Sequence, residues 1–210
     1  MSEPAAAGDY RLLSSETVYD GRVISLVADT VAMPGGGDSV REVVRHPGAV
    51  AVVALHDDGD VVLLRQFRHP VGGYLWELPA GLRDTDGEPP LETARRELAE
   101  EVGLSADRWS LLTTYASSPG FCDERVSVYL AEGLRPVERP DGFTAEHEEL
   151  DMTVERVPLA DAVRRVVAGG IVNAAAVIGL LAADRILSTR SAHSSPSGAD
   201  PDECADLVED

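Results

Sequence analysis

Residues 96–104 read Arg-Glu-Leu-Ala-Glu-Glu-Val-Gly-Leu and give the strongest structural signal in the chain. A helix advances by about 100° per residue, so Glu97, Glu100 and Glu101 would share one side of it. Like charges in this arrangement cost about 0.2–0.5 kcal/mol per pair, and the negative end of the helix dipole disfavours them further. A divalent cation would stabilise the cluster, because carboxylate oxygens are the ligands that Mg²⁺ and Mn²⁺ prefer. The alternative is an acidic helix face exposed to water.

The residues before this helix favour a metal-binding cluster over an acidic helix face exposed to water. Leu78-Pro79-Ala80-Gly81 is followed by Glu88, and the helix then supplies Arg96-Glu97-Leu98, Glu100-Glu101 and Gly103-Leu104. This pattern resembles the signature of the Nudix hydrolases, which cleave nucleoside diphosphates linked to another moiety. Six residues separate Gly81 from Glu88, one more than usual, and the extra residue falls in a loop where an insertion is tolerated. The resemblance covers residues 16–187 and is greatest to actinobacterial ADP-ribose pyrophosphatases.

The rest of the sequence predicts an α/β fold. Ala49–Leu55 is an almost continuous apolar run, typical of a strand buried on both faces, and a turn at residues 57–60 leads into a second strand at 61–64. Further strands are predicted at residues 23–28, 40–44, 74–78 and 126–130. Helices are predicted from Pro89 or Pro90 to Val102, from 159 to 167, and from 173 to 187. The last of these is apolar nearly all round, so we expect it to be buried.

The Nudix resemblance implies an α/β/α sandwich with a mixed sheet, preceded by a small β-rich dimerisation region. We therefore expect a flexible leader at residues 1–9, the N-terminal β region at 10–46, the Nudix hydrolase domain at 47–187 and a disordered acidic tail at 188–210. In the actinobacterial group the N-terminal strands cross to a partner subunit. The resemblance thus also implies a homodimer with an active site shared between subunits.

Cleavage of a pyrophosphate requires neutralised phosphate oxygens and a positioned water molecule. The candidate metal ligands are Glu97, Glu101 and then Glu100, for Mg²⁺ with Mn²⁺ as an alternative. The resemblance adds the carbonyl oxygen of Ala80 as a ligand and gives Arg96 and Glu88 an orienting role around the metal. The alternative for Arg96 is a simple surface ion pair.

A general base must come from another segment, because the ligating carboxylates are already engaged. Residues 146–149 read Glu-His-Glu-Glu and lie in a predicted loop. Nudix enzymes that act on ADP-ribose often take their catalytic Glu from this downstream loop. The resemblance implies Glu149 as the first choice and Glu148 as the second, and the alternative is a solvated acidic loop.

Other segments resemble the substrate-binding parts of the ADP-ribose pyrophosphatase branch, which is marked by a proline 16 residues after the helix-ending Gly103. The candidate substrate-binding residues are Arg68, Arg41, Glu42, Trp76, Ser118, Pro119, Gly120 and Glu124. Arg68 is expected to hold a phosphate or ribose, and Arg41 and Glu42 resemble residues that contact the adenosine end. Trp76 would either stack on adenine or belong to the core.

Composition narrows the function further. The chain has 210 residues, of which 44% are hydrophobic, and this fits one domain with a small accessory region. Its net charge of −19 argues against nucleic acid as a partner, yet permits a small anionic substrate because a bound cation inverts the local field. The N-terminus lacks the pattern of a secretory signal, and the apolar run at 174–183 is too short to span a membrane. Cys122 and Cys204 are interpreted as free thiols of a reducing compartment, which predicts a cytoplasmic protein.

The resemblance to the ADP-ribose pyrophosphatases, with the acidic cluster of the helix, implies Mg²⁺-dependent hydrolysis of the pyrophosphate bond of ADP-ribose to AMP and ribose 5-phosphate. A Nudix hydrolase acting on another nucleoside diphosphate sugar is one alternative. A non-catalytic ADP-ribose sensor is the other, although such modules often lose the metal-binding Glu residues that this chain retains.

Overall fold

The computed structural model describes residues 10–85, 87–139 and 151–194. The strands within these ranges are β1 (Arg11–Asp20), β2 (Ser25–Ala32), β3 (Asp38–Arg45), β4 (Ala49–Leu55), β5 (Asp60–Arg68), β6 (Gly73–Glu77), β7 (Ala80–Leu82), β8 (Leu104–Ala116), β9 (Arg125–Pro136) and β10 (Thr153–Pro158). The helices are α1 (Pro90–Val102), α2 (Leu159–Val167) and α3 (Ala174–Ser194), with a short 3₁₀ helix at His69–Val71.

A mixed sheet of seven strands forms the centre of the molecule. Its main order is β10-β5-β4-β9-β8, while β6 pairs with β5 and β7 pairs with β4. β4 and β9 run parallel, and the other pairs are antiparallel. The predicted mixed sheet is therefore confirmed.

Helices cover both faces of this sheet because the side chains of β4 alternate between them. Val50 and Val52 pack against Leu98 of α1. Val53, on the opposite face, belongs to a second buried cluster that includes Leu180 of α3 and residues of α2. Since β4 is apolar at every position, it supplies both cores, and the result is the predicted α/β/α sandwich.

α1 begins and ends where the sequence predicts. Pro90 occupies its first turn, where the missing backbone N–H is not needed, and Gly103 follows its last residue. Gly103 adopts a left-handed conformation (φ 64°), and its N–H donates to the carbonyl of Ala99 at 3.0 Å. A glycine is favoured there because other residues strain in that region.

The prediction for the last helix was wrong in two respects. α3 continues to Ser194 instead of ending at residue 187, and Arg190 in the added turns forms an ion pair with Glu132 (3.2 Å). The helix is also not buried all round, since Leu181 is 41% exposed while its neighbour Leu180 is fully buried. Gly179 explains the close approach on the buried side, because a Cβ there would lie 2.7 Å from Cδ1 of Leu78.

Two long stretches of sheet were not predicted. β8 lies in a segment where apolar and polar residues do not clearly alternate, and β9 continues six residues beyond the predicted end at residue 130, to Pro136. β8 and β10 are the two edges of the main strand path, and most of their residues are at least partly exposed. Edge strands carry weak hydrophobic patterns, and for this reason neither β8 nor β10 was predicted from apolar runs in the sequence.

The N-terminal strands form a separate three-stranded sheet in the order β1-β2-β3. Every residue of β1 is exposed, including Leu12 and Val18. The turn that joins β2 to β3 contains Gly35, Gly36 and Gly37, all three at positive φ. Across the described ranges, no helix combines the length and apolar character that crossing a membrane requires.

Candidate active site

The predicted metal site lies where α1 packs on the loop that contains β7. Glu101 is 7% exposed, and its Oε2 accepts a hydrogen bond from the backbone N–H of Ala80 at 2.9 Å. This bond ties the last turn of α1 to the strand that pairs with β4. The carboxylate is therefore held at a defined position beside the loop.

Gly81 makes the contact between this loop and Glu97. A Cβ at Gly81 would lie 2.0 Å from Cδ of Glu97 and 2.2 Å from its Oε1, so a side chain there would displace the Glu97 carboxylate. Burial raises the pKa of Glu97 to about 7, against the opposing effect of Arg96, and the nearby carboxylates of Glu100 and Asp84 raise it further. Glu97 is thus a carboxylate with too little positive charge around it.

Arg96 connects three of the predicted site residues. Its Nη1 donates to Glu97 Oε1 at 2.8 Å and to Glu100 Oε2 at 3.0 Å, and its Nη2 donates to Glu88 Oε2 at 3.3 Å. Thr93 Oγ1 also donates to Glu88 at 2.9 Å, and the two donors together lower the pKa of the Glu88 carboxyl. Arg96 therefore bridges the acidic cluster and is more than a simple surface ion pair.

These residues fit a divalent cation in chemistry but do not form a finished cage. No three acidic, histidine or cysteine side chains in the described ranges already converge as a metal-binding group. Mg²⁺ does not require such a cage, since it keeps several waters and is usually held by one or two carboxylates together with substrate phosphates. Glu97, whose side chain is 13% exposed, and Glu101, which is bound to the loop, are two carboxylates of the kind that such a site needs.

A cleft of about 490 Å³ opens beside this loop. Ala80 and Gly81 line one part of it, and Arg68 lines another. Arg68 is oriented by Glu77, which is 3% exposed and accepts from Nε at 2.9 Å and from Nη2 at 2.6 Å. This two-point contact sets the plane of the guanidinium in the wall of the cleft.

The other predicted substrate residues divide between this cleft and a neighbouring one. Glu124 lines the first cleft. The second cleft, of about 480 Å³, is lined by Arg41 and Glu42 of β3 together with Pro119 and Gly120. Ser118 lies in the sequence between Ser117, which lines the first cleft, and Pro119, which lines the second. Its carbonyl accepts from the N–H groups of residues 121 and 122 at 3.1 and 2.9 Å.

Strand β3 is bound to the loop at residues 117–124, which explains why these segments meet. The N–H of Val44 donates to the Phe121 carbonyl at 2.7 Å, and the N–H of Asp123 donates back to Val44 at 3.1 Å. Arg45 then bridges Asp123 (3.1 Å) and the buried Asp29 of β2 (2.7 Å). The N-terminal sheet and the candidate substrate loop are thus one connected unit.

Trp76 lies away from both clefts. Leu75 and Glu77 line the first cleft, and Trp76 between them points to the other side of β6, as strand alternation requires. There it packs against the core cluster, with the Arg165 guanidinium 5.9 Å from its ring centre. This position agrees with the core alternative for Trp76.

Glu148 and Glu149, the predicted bases, lie outside the described residues.

Some residues that line the first cleft were not predicted from the sequence, and they include His46, Glu77 and Tyr115. The only signal for His46 was its place in His46-Pro47-Gly48, immediately before the central strand β4. Nothing in that tripeptide alone marks a site.

Comparison with known proteins agrees with this fold. Residues 45–169 match the family model of the NUDIX domain, and residues 10–44 match that of the nucleoside diphosphate sugar hydrolase N-terminal domain. An ADP-ribose pyrophosphatase of Mycobacterium tuberculosis is 54% identical over 177 residues, which is 84% of each chain. An ADP-ribose pyrophosphatase of Bacillus subtilis is 41% identical over 160 residues, covering 74% of this chain and 82% of that protein.

A solved structure of an ADP compounds hydrolase has the same fold, with a TM-score of 0.74, 24% identity, and coverage of 89% of this chain and 98% of that chain. The chain therefore belongs to the Nudix family. It is a pyrophosphohydrolase of that family, whose ADP-ribose pyrophosphatases generally depend on a divalent metal.

Proposed function

We propose that this protein hydrolyses the pyrophosphate bond of ADP-ribose and releases AMP and ribose 5-phosphate. The observation that supports this most is the cleft lined by Arg68 and by Ala80 and Gly81. The backbone at Ala80 and Gly81 in turn contacts the carboxylates of Glu101 and Glu97. Such a cleft offers a cation for one anionic group and a metal-binding edge for its neighbour, as a diphosphate requires. Relatives named as ADP-ribose pyrophosphatases in two bacteria support the choice of substrate.

Mg²⁺, with Mn²⁺ as the alternative, would be held by Glu97, Glu101, Glu100 and the Ala80 carbonyl. The cation supplies charge neutralisation to the phosphate oxygens when it is bound. Arg96 keeps Glu97 and Glu100 in place through its Nη1, and Glu88 in turn holds Arg96. This arrangement leaves the carboxylates oriented before the substrate arrives.

The water nucleophile requires a base that is not a metal ligand, and Glu149 is our first assignment, with Glu148 as the second. Arg68 would hold a phosphate oxygen of the substrate, because its guanidinium is oriented by Glu77 and lines the cleft. Glu124, Ser118, Pro119 and Gly120 would belong to the loop that contacts the substrate, and Arg41 and Glu42 would contact the adenosine end.

We also propose that the protein is a homodimer with its active sites shared between subunits. The support is β1, a ten-residue strand that is exposed along its whole length and carries large apolar side chains such as Leu12 and Val18. A strand exposed in this way is seldom stable without a covering partner.

The presence of only two cysteines supports a reducing, cytoplasmic location for the protein. Cell fractionation alongside a cytoplasmic marker enzyme tests this location.

The substrate is tested with a panel of nucleoside diphosphate sugars assayed with Mg²⁺. The second candidate function, hydrolysis of another such sugar, is supported by the match of residues 10–44 to the N-terminal domain of nucleoside diphosphate sugar hydrolases. We expect the highest kcat/KM for ADP-ribose. Faster turnover of GDP- or UDP-sugars would overturn the assignment.

The sensor alternative is separated by Glu101→Gln. The amide oxygen of Gln can still accept from the Ala80 N–H, so the fold is retained while one ligand charge is lost. An enzyme should lose turnover by about 100-fold or more, whereas a sensor's affinity for ADP-ribose should barely change. Glu92→Gln, on the exposed side of the same helix, is the matched control.

A further inference from the structure

His46 lies in the wall of the 490 Å³ cleft, in the short connection between β3 and β4. Its side chain is 14% exposed, and the cleft also contains Ala80, Gly81 and Arg68. The residue has no part in the metal or base assignments. Its position is nevertheless constrained from several sides.

The backbone on either side of His46 fixes the ring. The N–H of His46 donates to Asp123 Oδ1 at 2.9 Å, and the N–H of Gly48 donates to Nδ1 of the ring at 3.0 Å. A backbone amide can only donate, so Nδ1 must be the unprotonated nitrogen. The neutral ring therefore carries its proton on Nε2.

Glu124 approaches the same nitrogen, with Oε1 at 3.5 Å from Nδ1. This contact would be an ion pair only if Nδ1 carried a proton, but Gly48 already uses Nδ1 as an acceptor at the shorter distance. The Nε2–H of His46 is thus a neutral donor, and the Glu124 carboxylate beside the ring is an anionic acceptor. Within the described ranges, Nε2–H makes no hydrogen bond, so it is left for a ligand.

We propose that His46 is a further substrate-contacting residue, which donates Nε2–H to a hydroxyl oxygen of a ribose diol while Glu124 accepts from the neighbouring hydroxyl. A donor next to a carboxylate matches a vicinal diol, since one hydroxyl can accept while the other donates. The inference rests on the proposed function, because only a substrate with a ribose beside its diphosphate places that diol next to Arg68. Either ribose of ADP-ribose has this chemistry.

Two substitutions separate contact with substrate from a purely structural role. In His46→Asn the amide oxygen can replace Nδ1 as the acceptor for Gly48, but the donor at the Nε2 position is lost. In His46→Gln the longer side chain returns an N–H near Nε2 but does not accept from Gly48 in the same way. His56→Asn, at the other end of β4, is the matched control.

We expect His46→Asn to keep the wild-type melting temperature and kcat within about twofold while KM rises about 10-fold, the effect of one lost hydrogen bond. His46→Gln should have a KM closer to wild type and a lower melting temperature. The reverse order, a normal Asn variant and an impaired KM for Gln, would show that the ring only anchors the backbone and would overturn the proposal.

Deoxy analogues identify the hydroxyl. Analogues of ADP-ribose that each lack one hydroxyl, the 2- or the 3-hydroxyl of either ribose, are compared by calorimetric binding with Mg²⁺ present. One of the four should bind wild type about 10-fold more weakly yet bind His46→Asn no worse than ADP-ribose does. Full, additive losses for all four analogues in His46→Asn would contradict the contact.

This binding readout also separates the inference from the proposed function. If wild type bound ADP-ribose but did not hydrolyse it, the proposed function would fail while the binding cycle still decided the role of His46. If wild type bound no nucleoside diphosphate sugar at all, the proposed function and the inference about His46 would both be wrong.

Discussion

Gly81 and Glu97 form the residue contact that shapes the candidate metal site. The loop passes so close to the carboxylate that a side chain on residue 81 would displace it. Burial and the nearby acidic groups raise the pKa of Glu97 to about 7, so its environment favours an added positive charge. The function of the site therefore depends on a backbone approach as much as on the acidic residues.

Gly81→Ala should displace Glu97 and lower kcat by about 100-fold, because a misplacement of about 1 Å at a catalytic centre has an effect of that size. Steady-state kinetics with ADP-ribose and Mg²⁺ measures it. Gly73→Ala is the matched control, since a Cβ there meets no atom within 4 Å and turnover should stay near wild type. Near-normal turnover in Gly81→Ala would show that Glu97 is not required where the structure places it.

Glu149→Gln should lower kcat by about 100-fold or more and leave KM almost unchanged, because a general base acts in the transition state. Steady-state kinetics of Glu149→Gln and Glu148→Gln with ADP-ribose, measured in parallel, tests both candidate bases. An unchanged kcat in Glu149→Gln would exclude it as the base.

Residues that lie close together in the sequence could be predicted to share one site. Glu97 and Glu100 were indicated by their spacing, and Glu88 and Arg96 by the Nudix resemblance. The structure joins these four residues in one network. His46 could not be recognised, because its contacts are with residues 123 and 124, far away in the sequence. Its role becomes visible only when β3 is seen bound to that loop.

At the scale of elements, α1 could be predicted closely because its prolines, apolar stripe and final glycine all agree. β8 and β10 could not, since each is an edge strand whose pairing comes from a distant partner. The length of α3 was underestimated for a similar reason. Its last turns contain few apolar residues and are supported by tertiary contacts such as Arg190 with Glu132.

The burial of α3 on one side predicts different effects for two adjacent leucines. Leu180→Ala should lower the free energy of unfolding by about 2–5 kcal/mol, because a fully buried leucine leaves a cavity. Leu181→Ala removes the same atoms from a partly exposed position and should cost about 1 kcal/mol or less. Urea unfolding of both variants measures the difference. Equal losses would show that α3 packs on the sheet through a different face.

At the scale of the whole molecule, the exposed N-terminal sheet predicts a dimer. Sedimentation equilibrium should give twice the chain mass of 22.3 kDa. Leu12→Asp and Val18→Asp, both in β1, should yield monomers with reduced turnover, because a charge is costly in a buried interface. Val167→Asp, at the exposed end of α2, is the control and should remain dimeric. A monomeric wild-type protein with full activity would contradict both the dimer and the shared active site.

The connection between the N-terminal sheet and the substrate loop gives the dimer a functional meaning. Asp29, Arg45 and Asp123 link β2, β3 and the loop at residues 117–124. Covering β1 with a second subunit would therefore stabilise the same unit that lines both clefts.

Calorimetric titration of Mn²⁺ into the protein, with a non-hydrolysable ADP-ribose analogue present, tests the central claim most directly. We expect saturable binding in wild type that is weakened at least about 10-fold in both Glu97→Gln and Glu101→Gln and is unchanged in Glu92→Gln. Cation binding that is absent from wild type, or equally strong in all four proteins, would contradict the role of the α1 carboxylates.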